Sequence, residues 1–247
     1  FHEDIKELVK GNYKQKQIFE IHRKCAIKSE KEHLTVLRSK CRLHFNSEED
    51  KKEEYFRAIM TALEKLDETA DGVSTLLKIL ALCPELRIIF DFNKTSTDEI
   101  DPRDDKYTEG SCYFTIFCVT IGAKNLLDSE KCSEVLGTMA HEFCHLAMYL
   151  MFKNGCKPYE KNDAERKKKF EKIVNDYKKR FDRKEIGEKI VELVYDCYGE
   201  NVWHAELIVR VPHMIANYKG NDEKLEQLRD NFSELFEFYE KLMSKTK

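Results

Sequence analysis

Two histidines and a glutamate near the middle of the chain have the types and the spacing that metal-assisted hydrolysis requires. His141 and His145 are four residues apart, so on a helix both imidazoles lie on one face, one turn apart, and can bind one metal ion. Glu142 lies about 100° further around such a helix. Its carboxylate can therefore reach a water molecule without binding the metal itself. This pattern predicts a general base beside a Lewis acid.

The residues around this motif favour a metal site over two ordinary surface histidines. Residues 135–140 and 146–150 are almost wholly apolar, so the helix that carries the motif is expected to be buried. Buried imidazoles and carboxylates without partners cost several kilocalories per mole. A metal ion would supply a partner for them.

A catalytic zinc site takes three protein ligands and leaves one position open for water. Our preferred third ligand is Glu206, because it lies in the otherwise apolar segment 203–211, where a carboxylate needs a cation. A structural salt bridge from Glu206 to Arg210, four residues later, is the simpler alternative. Three other acids compete for the role of third ligand: Glu165, Glu200 and, less strongly, Asp163.

Residues 137–145 resemble the active-site helix of the zincin metallopeptidases. The order of a strand, the HExxH helix and a later glutamate-bearing helix is similar to that of the gluzincins, including lethal-factor-like toxins. The resemblance extends over about residues 86–218. It implies zinc-dependent hydrolysis of peptide bonds, with one Zn²⁺ held by His141, His145 and Glu206. The third histidine and the glycine that follow HExxH in metzincins are absent here.

The same resemblance implies further residues of the site. A strand before the helix forms the sheet edge with which an extended peptide substrate pairs, and residues 113–121 occupy the matching place. Lethal-factor-like enzymes carry a tyrosine shortly before the glutamate helix, which implies that Tyr198 donates a hydrogen bond to the developing oxyanion. His213, seven residues after Glu206, is the second candidate for this donor. The spacing of Glu165 from the motif is similar to that of thermolysin-type enzymes.

The first part of the chain reads as helical. Apolar residues recur at helical spacing over residues 12–43 and again over 55–66, and Gly72 is expected to end the second of these helices. Residues 86–92 and 112–121 are rich in β-branched and aromatic side chains, which predicts two strands.

Helical patterns dominate again after the second strand. They cover residues 136–152, a lysine-rich helix with one apolar face, a helix from about residue 201 that should kink or stop near Pro212, and a final helix over 225–242. The final helix has a heptad-like stripe, which is more typical of a packed terminal helix than of a coiled coil. The lysine-rich face is expected to be solvated.

These elements predict a predominantly helical α+β fold. We expect a helical N-terminal region at residues 1–82 and a zincin-like metallopeptidase domain with a small sheet at residues 83–247.

Composition narrows the class of protein further. The formal net charge of −3 gives no reason to expect nucleic-acid binding. Nine scattered cysteines without a CxxC pair favour free thiols in a reducing compartment. These thiols lead us to expect an intracellular, cytoplasmic location. No apolar run is long enough to cross a bilayer, so we expect no membrane segment. The chain begins at Phe1 and not at a methionine, so we expect that it is part of a longer protein.

Two functional hypotheses follow from the sequence. The first is a zinc peptidase acting on a peptide or protein substrate, in which Glu142 activates water. The second is a metal-bearing interaction or regulatory module with little turnover, whose protein partner docks on the helical N-terminal region. Retention of Glu142 in the motif favours the peptidase.

Overall fold

The computed structural model describes the chain at residues 32–45, 51–94, 110–152, 157–182 and 203–244. Helices dominate these segments and four short strands form one sheet, which confirms a predominantly helical α+β fold. The helices are α1 (Glu32–Lys40), α2 (Lys52–Asp67), α3 (Asp71–Ala81), α4 (Cys132–Phe152), α5 (Ala164–Asp182), α6 (Trp203–Asn217), α7 (Asp222–Asn231) and α8 (Ser233–Ser244). The strands are β1 (Cys41–His44), β2 (Arg87–Asp91), β3 (Gly110–Tyr113) and β4 (Cys118–Gly122).

The sheet has the order β1-β2-β4-β3, with β3 at one edge. Strands β1, β2 and β4 are parallel, whereas β3 pairs antiparallel with β4. In the two central strands, Ile88 pairs with Val119 and Phe90 pairs with Ile121. All four of these side chains are fully buried, because β-branched and aromatic residues at alternate positions form one apolar face of the sheet.

The region predicted as one strand over residues 112–121 is two antiparallel strands joined by a short 3-10 turn at Phe114–Ile116. Phe117 ends this turn in the left-handed region, with φ 48° and ψ 47°. Its carbonyl then accepts a hydrogen bond of 2.9 Å from the Arg87 amide, which starts the pairing of β2 with β4. No glycine or proline marks the turn, so the sequence pattern gave no signal for it.

Residues 41–44, predicted as the end of a helix, form strand β1 instead. Cys41 is buried and lies in register with Ile88 of β2. A short run with apolar residues at both helical and alternating spacing is compatible with a helix or a strand. Here, pairing with the edge of β2 stabilises the strand.

Three helix boundaries also differ from expectation. Helix α2 ends at Asp67, and Gly72 lies in the first turn of α3 and does not end a helix. Of the two alternatives predicted for α6, a kink or a stop near Pro212, the stop is wrong, because the helix continues to Asn217. The final helical stretch is divided at Phe232 into α7 and α8.

The predicted amphipathic faces are buried as expected. The apolar residues of α8 pack against α3, α5 and α6, which confirms the packed terminal helix and leaves this stripe covered by the chain itself. Most lysines of α5 are exposed, whereas its apolar residues Phe170, Ile173, Val174 and Tyr177 are buried. No helix in the described segments is long and apolar enough to span a bilayer.

Helix α4 lies at the centre of the hydrophobic core. It packs most extensively against α6 and also contacts α3, β3 and β4. Nearly all of its residues from Val135 to Phe152 are buried, which is typical of a helix that is apolar on every side. The core is continuous across residue 82, since α1, α2 and α3 contribute side chains to it.

The cysteines in the described segments are free thiols, as the sequence predicts for them. Four of the six are buried, and burial raises the pKa of Cys41 to about 12 and that of Cys83 to about 11. These thiols are therefore protonated packing groups at neutral pH.

Asp67 joins three helices of the N-terminal part. Its Oδ1 atom lies 2.8 Å from His33 Nε2 of α1 and accepts a hydrogen bond of 2.7 Å from the Ser74 hydroxyl of α3. Burial raises the pKa of the Asp67 carboxyl, but these hydrogen bonds outweigh burial and the pKa is lowered overall. The ionised carboxylate therefore stabilises the packing of α1, α2 and α3.

We expect Asp67→Ala to lower the free energy of unfolding at pH 7 by about 1.5–3 kcal/mol, because two hydrogen bonds to a charged group are lost. A lowered pKa stabilises the fold above the ordinary aspartate pKa of about 3.9, and this contribution is lost as the pH falls through the lower folded-state pKa. Urea unfolding of both proteins at pH 7 and pH 3 measures the difference. Asp230→Ala, on the exposed face of α7, is the control. A difference between Asp67→Ala and the unaltered protein that is equal at both pH values would contradict the assignment.

Candidate metal centre

Helix α4 places the two motif histidines side by side in the protein interior. The Nε2 atoms of His141 and His145 are 3.1 Å apart, and the two rings are 4.7 Å apart between centroids. Both side chains are buried, because the residues that flank them on α4 are apolar on every face. The four-residue spacing, about one helical turn, therefore brings the two imidazole nitrogens close enough to bind one ion, as predicted.

Glu206 completes this group from helix α6. Its two carboxylate oxygens lie 3.2 Å from the Nε2 atoms of His141 and His145, respectively. Helix α6 is held against α4 by buried apolar residues on both helices, which fixes the carboxylate opposite the imidazoles. Within the described segments, His141, His145 and Glu206 form a buried group whose ligand atoms all lie within 4.8 Å of one another and could hold a metal ion.

The spacing of these three residues fits a small metal ion. Ligand atoms around a tetrahedral ion with bonds of about 2.0–2.1 Å are separated by about 3.3 Å, close to the separations seen here. Glu206 Oε2 accepts no well-aligned hydrogen bond within the described residues, although His141 Nε2 is only 3.2 Å away. A buried carboxylate oxygen of this kind calls for another partner, and a cation between the three side chains would satisfy it.

The protonation states of the group also suit a metal. Burial, together with the nearby Arg210 guanidinium, lowers the pKa of His141 to about 3, so its imidazole is neutral. Burial raises the pKa of the Glu206 carboxyl, but the two imidazoles outweigh burial and hold the pKa well below its ordinary value. Neutral imidazole and ionised carboxylate are the forms that bind metals.

Glu142 lies beside the group without belonging to it. Its Oε1 atom is 4.0 Å from His141 Nε2, and the side chain is buried. Strand β3 passes directly over Glu142: a Cβ atom built on Gly110 would lie 2.7 Å from Glu142 Cγ and 3.1 Å from Thr138 Cγ2. The absence of a side chain at position 110 therefore allows the edge strand to lie against α4 at this carboxylate.

His213 lies on the far side of His141. Its ring is 5.8 Å from the His141 ring and nearly perpendicular to it. A Cβ atom on Gly137 would lie 3.1 Å from His213 Nε2, so this glycine leaves the space that the ring occupies. Burial, with further contributions from Arg210 and His141, lowers the pKa of His213 well below its ordinary value, and the imidazole is neutral.

The competing acids are placed elsewhere. Glu165 is exposed in the first turn of α5 and is not a member of the ligand group. Asp163 accepts a hydrogen bond of 3.0 Å from the Arg166 amide and pairs with the Arg166 side chain. Tyr198 and Glu200 lie outside the described residues. Glu206 lies close to the two imidazoles in the described segments.

One neighbour of the site, Phe114, was missed in the sequence, and another, Arg210, was expected only as a salt-bridge partner of Glu206. Arg210 is buried one turn after Glu206 and depresses the pKa of both His141 and His213. The Phe114 ring lies 6.4 Å from the His145 ring, although the sequence placed Phe114 inside a strand. Three aromatic residues lie within positions 113–117. Because the turn at Phe117 was not predicted, they did not indicate that Phe114 lies beside His145.

We expect the protein to bind one divalent transition-metal ion and Glu206→Gln to weaken that binding on the order of 100-fold or more, because one of three ligands loses its charge. Glu165→Gln is the matched control and should leave the affinity unchanged. Competition with a chromophoric chelator gives the affinity, and elemental analysis gives the stoichiometry. Loss of affinity in Glu165→Gln with full affinity in Glu206→Gln would reassign the third ligand.

Comparison of the chain with protein-family models, with curated protein sequences and with solved structures gives no match. The function of the chain is therefore argued from the geometry, burial and protonation of its own residues. Chief among these are the three side chains that converge between α4 and α6 and the carboxylate of Glu142 beside them.

Proposed function

We propose that this chain is a zinc-dependent metallopeptidase of the HExxH type, with a gluzincin-like arrangement of ligands. The observation that carries the proposal is the convergence of His141, His145 and Glu206 in the core, with the buried carboxylate of Glu142 beside them. Two imidazoles and one carboxylate are a ligand set of catalytic zinc sites, which keep a position open for water.

The ligand types favour zinc over other common ions. Mg²⁺ and Ca²⁺ prefer oxygen ligands, whereas two imidazole nitrogens suit Zn²⁺ and its neighbours in the transition series. Bound here, a zinc ion would supply Lewis acidity toward water and toward a carbonyl oxygen. His141, His145 and Glu206 would hold it.

In the proposed reaction Glu142 is the general base and then the general acid. Its carboxylate takes a proton from the attacking water and later gives that proton to the amine nitrogen that leaves the scissile bond. The side chain is buried, with its Oε1 atom 4.0 Å from His141 Nε2, so it lies within reach of a water molecule at the ligand group.

A donor for the developing oxyanion completes the mechanism. His213 is neutral and buried beside His141, so one ring nitrogen carries a proton that can be donated. Tyr198 is the other proposed donor, on the strength of the sequence resemblance. We propose that one of these two residues, Tyr198 or His213, donates to the oxyanion.

The proposed substrate is a peptide or protein segment in extended form. Strand β3 forms the edge of the sheet, passes over Glu142 and pairs only with β4 among the described strands. The free side of an edge strand offers backbone donors and acceptors to an added strand. A substrate that paired there would lie along α4 at the ligand group.

We expect Glu142→Gln to abolish peptide hydrolysis and to retain the bound metal, because the amide keeps the shape of the side chain but cannot accept the proton. Zinc content and cleavage of a proteome-derived peptide library, read by mass spectrometry, measure the two properties. The unaltered protein and Glu165→Gln serve as controls. Equal hydrolysis by Glu142→Gln and the unaltered protein would refute the mechanism. Stoichiometric zinc without cleavage of any peptide by the unaltered protein would favour a metal-bearing interaction module.

Gly110→Ala should lower kcat by about 10–100-fold and leave the zinc content unchanged, because the new methyl group must displace Glu142 or the edge strand. Gly110 acts through Glu142 and is a positioning residue. The neighbouring Ser111→Ala, on the same strand, is the control and should keep both kcat and KM. An unchanged kcat in Gly110→Ala would show that the close approach of β3 to Glu142 has no part in the reaction.

A further inference from the structure

The segment from β3 through β4 is unusual for its lack of charge. Charged residues make up 36% of the chain, yet residues 110–123 contain none. Two large apolar side chains in this segment are nevertheless exposed, Tyr113 at 51% and Ile116 at 50%. An uncharged surface with exposed large apolar residues is typical of a binding surface.

This surface is continuous with the metal centre through Phe114. The Phe114 ring contacts His145 edge to face, 6.4 Å between centroids, and stacks on Tyr149 at 5.2 Å. The Phe117 ring lies 6.3 Å from the same tyrosine. Phe114, Phe117 and Tyr149 are each partly buried and form what we call the aromatic wall. The wall begins at one of the proposed zinc ligands and extends outward from it.

The backbone holds the wall in place. Phe117 adopts the left-handed conformation, which is uncommon for a residue with a large side chain and is found mostly where function requires it. This conformation ends the 3-10 turn that carries Phe114 and Ile116, and Phe114 lies next to α4.

The position of the wall relates it to the substrate path. Strand β3 starts at Gly110 beside Glu142 and ends at Tyr113, immediately before Phe114. Along α4 the order is the same, from Glu142 through His145 to Tyr149, each about one turn further on. A chain paired with β3 would therefore pass the aromatic wall directly after the ligand group.

The aromatic wall favours an apolar side chain of the substrate over a charged one. Aromatic rings bind other rings by stacking and by edge-to-face contacts, and aliphatic groups by burial of apolar surface. A carboxylate or an ammonium group buried there would need a partner of opposite charge, which residues 110–123 do not supply.

We propose that the aromatic wall, with Ile116 at its rim, is a specificity site that binds a bulky apolar side chain of the substrate, an aromatic one by preference, next to the scissile bond. This inference rests on the proposed function. It adds the substrate class, which the ligand group alone does not determine.

Simple hydroxamates test the proposal, since the hydroxamate group binds the metal and its substituent probes the wall. The affinities of acetohydroxamate, 3-phenylpropanohydroxamate and succinomonohydroxamate for the zinc-loaded protein are measured by calorimetry. We expect 3-phenylpropanohydroxamate to bind at least about 10-fold more tightly than acetohydroxamate. Succinomonohydroxamate should bind no more tightly than acetohydroxamate.

Variants of the aromatic wall and its rim test whether these residues cause the preference for the phenyl compound. Phe114→Ala should reduce the phenyl preference, measured as the ratio of the affinities for 3-phenylpropanohydroxamate and acetohydroxamate, to less than about 3-fold. Ile116→Asp changes an exposed side chain that the fold does not need and should also weaken phenyl binding. Leu127→Asp, at a residue 46% exposed on the next 3-10 turn, is its matched control and should have no effect.

The outcomes separate this proposal from the proposed function. Equal affinity for the phenyl compound and acetohydroxamate, or a phenyl preference that survives both Phe114→Ala and Ile116→Asp, would overturn the specificity site and leave the metal centre intact. Failure of the protein to take up zinc would overturn the metal centre and this proposal together, whereas failure of every hydroxamate to bind the zinc-loaded protein would overturn this proposal alone.

Discussion

Three electron-rich groups meet in the interior of this protein: the imidazoles of His141 and His145, with Nε2 atoms 3.1 Å apart, and the Glu206 carboxylate, which places one oxygen 3.2 Å from each of these nitrogens. Packing of α4 against α6 imposes these contacts, and all three side chains are buried. Such an arrangement is costly without a cation or shared protons. Burial of His141 and ionisation of Glu206 give the states that a metal requires.

Much of the site could be predicted from residue type and spacing. A four-residue interval puts His141 and His145 on one helical face whatever the rest of the fold, and a carboxylate in an apolar helix, such as Glu206, must find a positive partner. The place of Phe114 beside His145 could not be predicted in the same way. It depends on a reversal of the chain at Phe117, where a bulky residue adopts a conformation that sequence patterns assign to glycine or asparagine.

The fold shows the same division between local and tertiary causes. Long periodic segments such as 136–152 and the apolar face of α5 were predicted, because many residues repeat one pattern. Strand β1 at Cys41–His44 was not predicted. Four residues are too few to show a repeating pattern of apolar positions, and pairing with β2 determines the conformation of this segment. Passage of α6 through Pro212 likewise depends on neighbouring helices that hold it in the core.

The ligand group also has a consequence for how the chain holds together. His145 and Glu206 are 61 positions apart in the sequence, and they belong to the two helices that contact each other most extensively. An ion coordinated by both would bind the folded chain, in which α4 and α6 meet, and not the unfolded chain, in which its ligands are far apart, so its binding free energy would stabilise the fold. The supply of metal would then govern the lifetime of the folded chain as well as its chemistry.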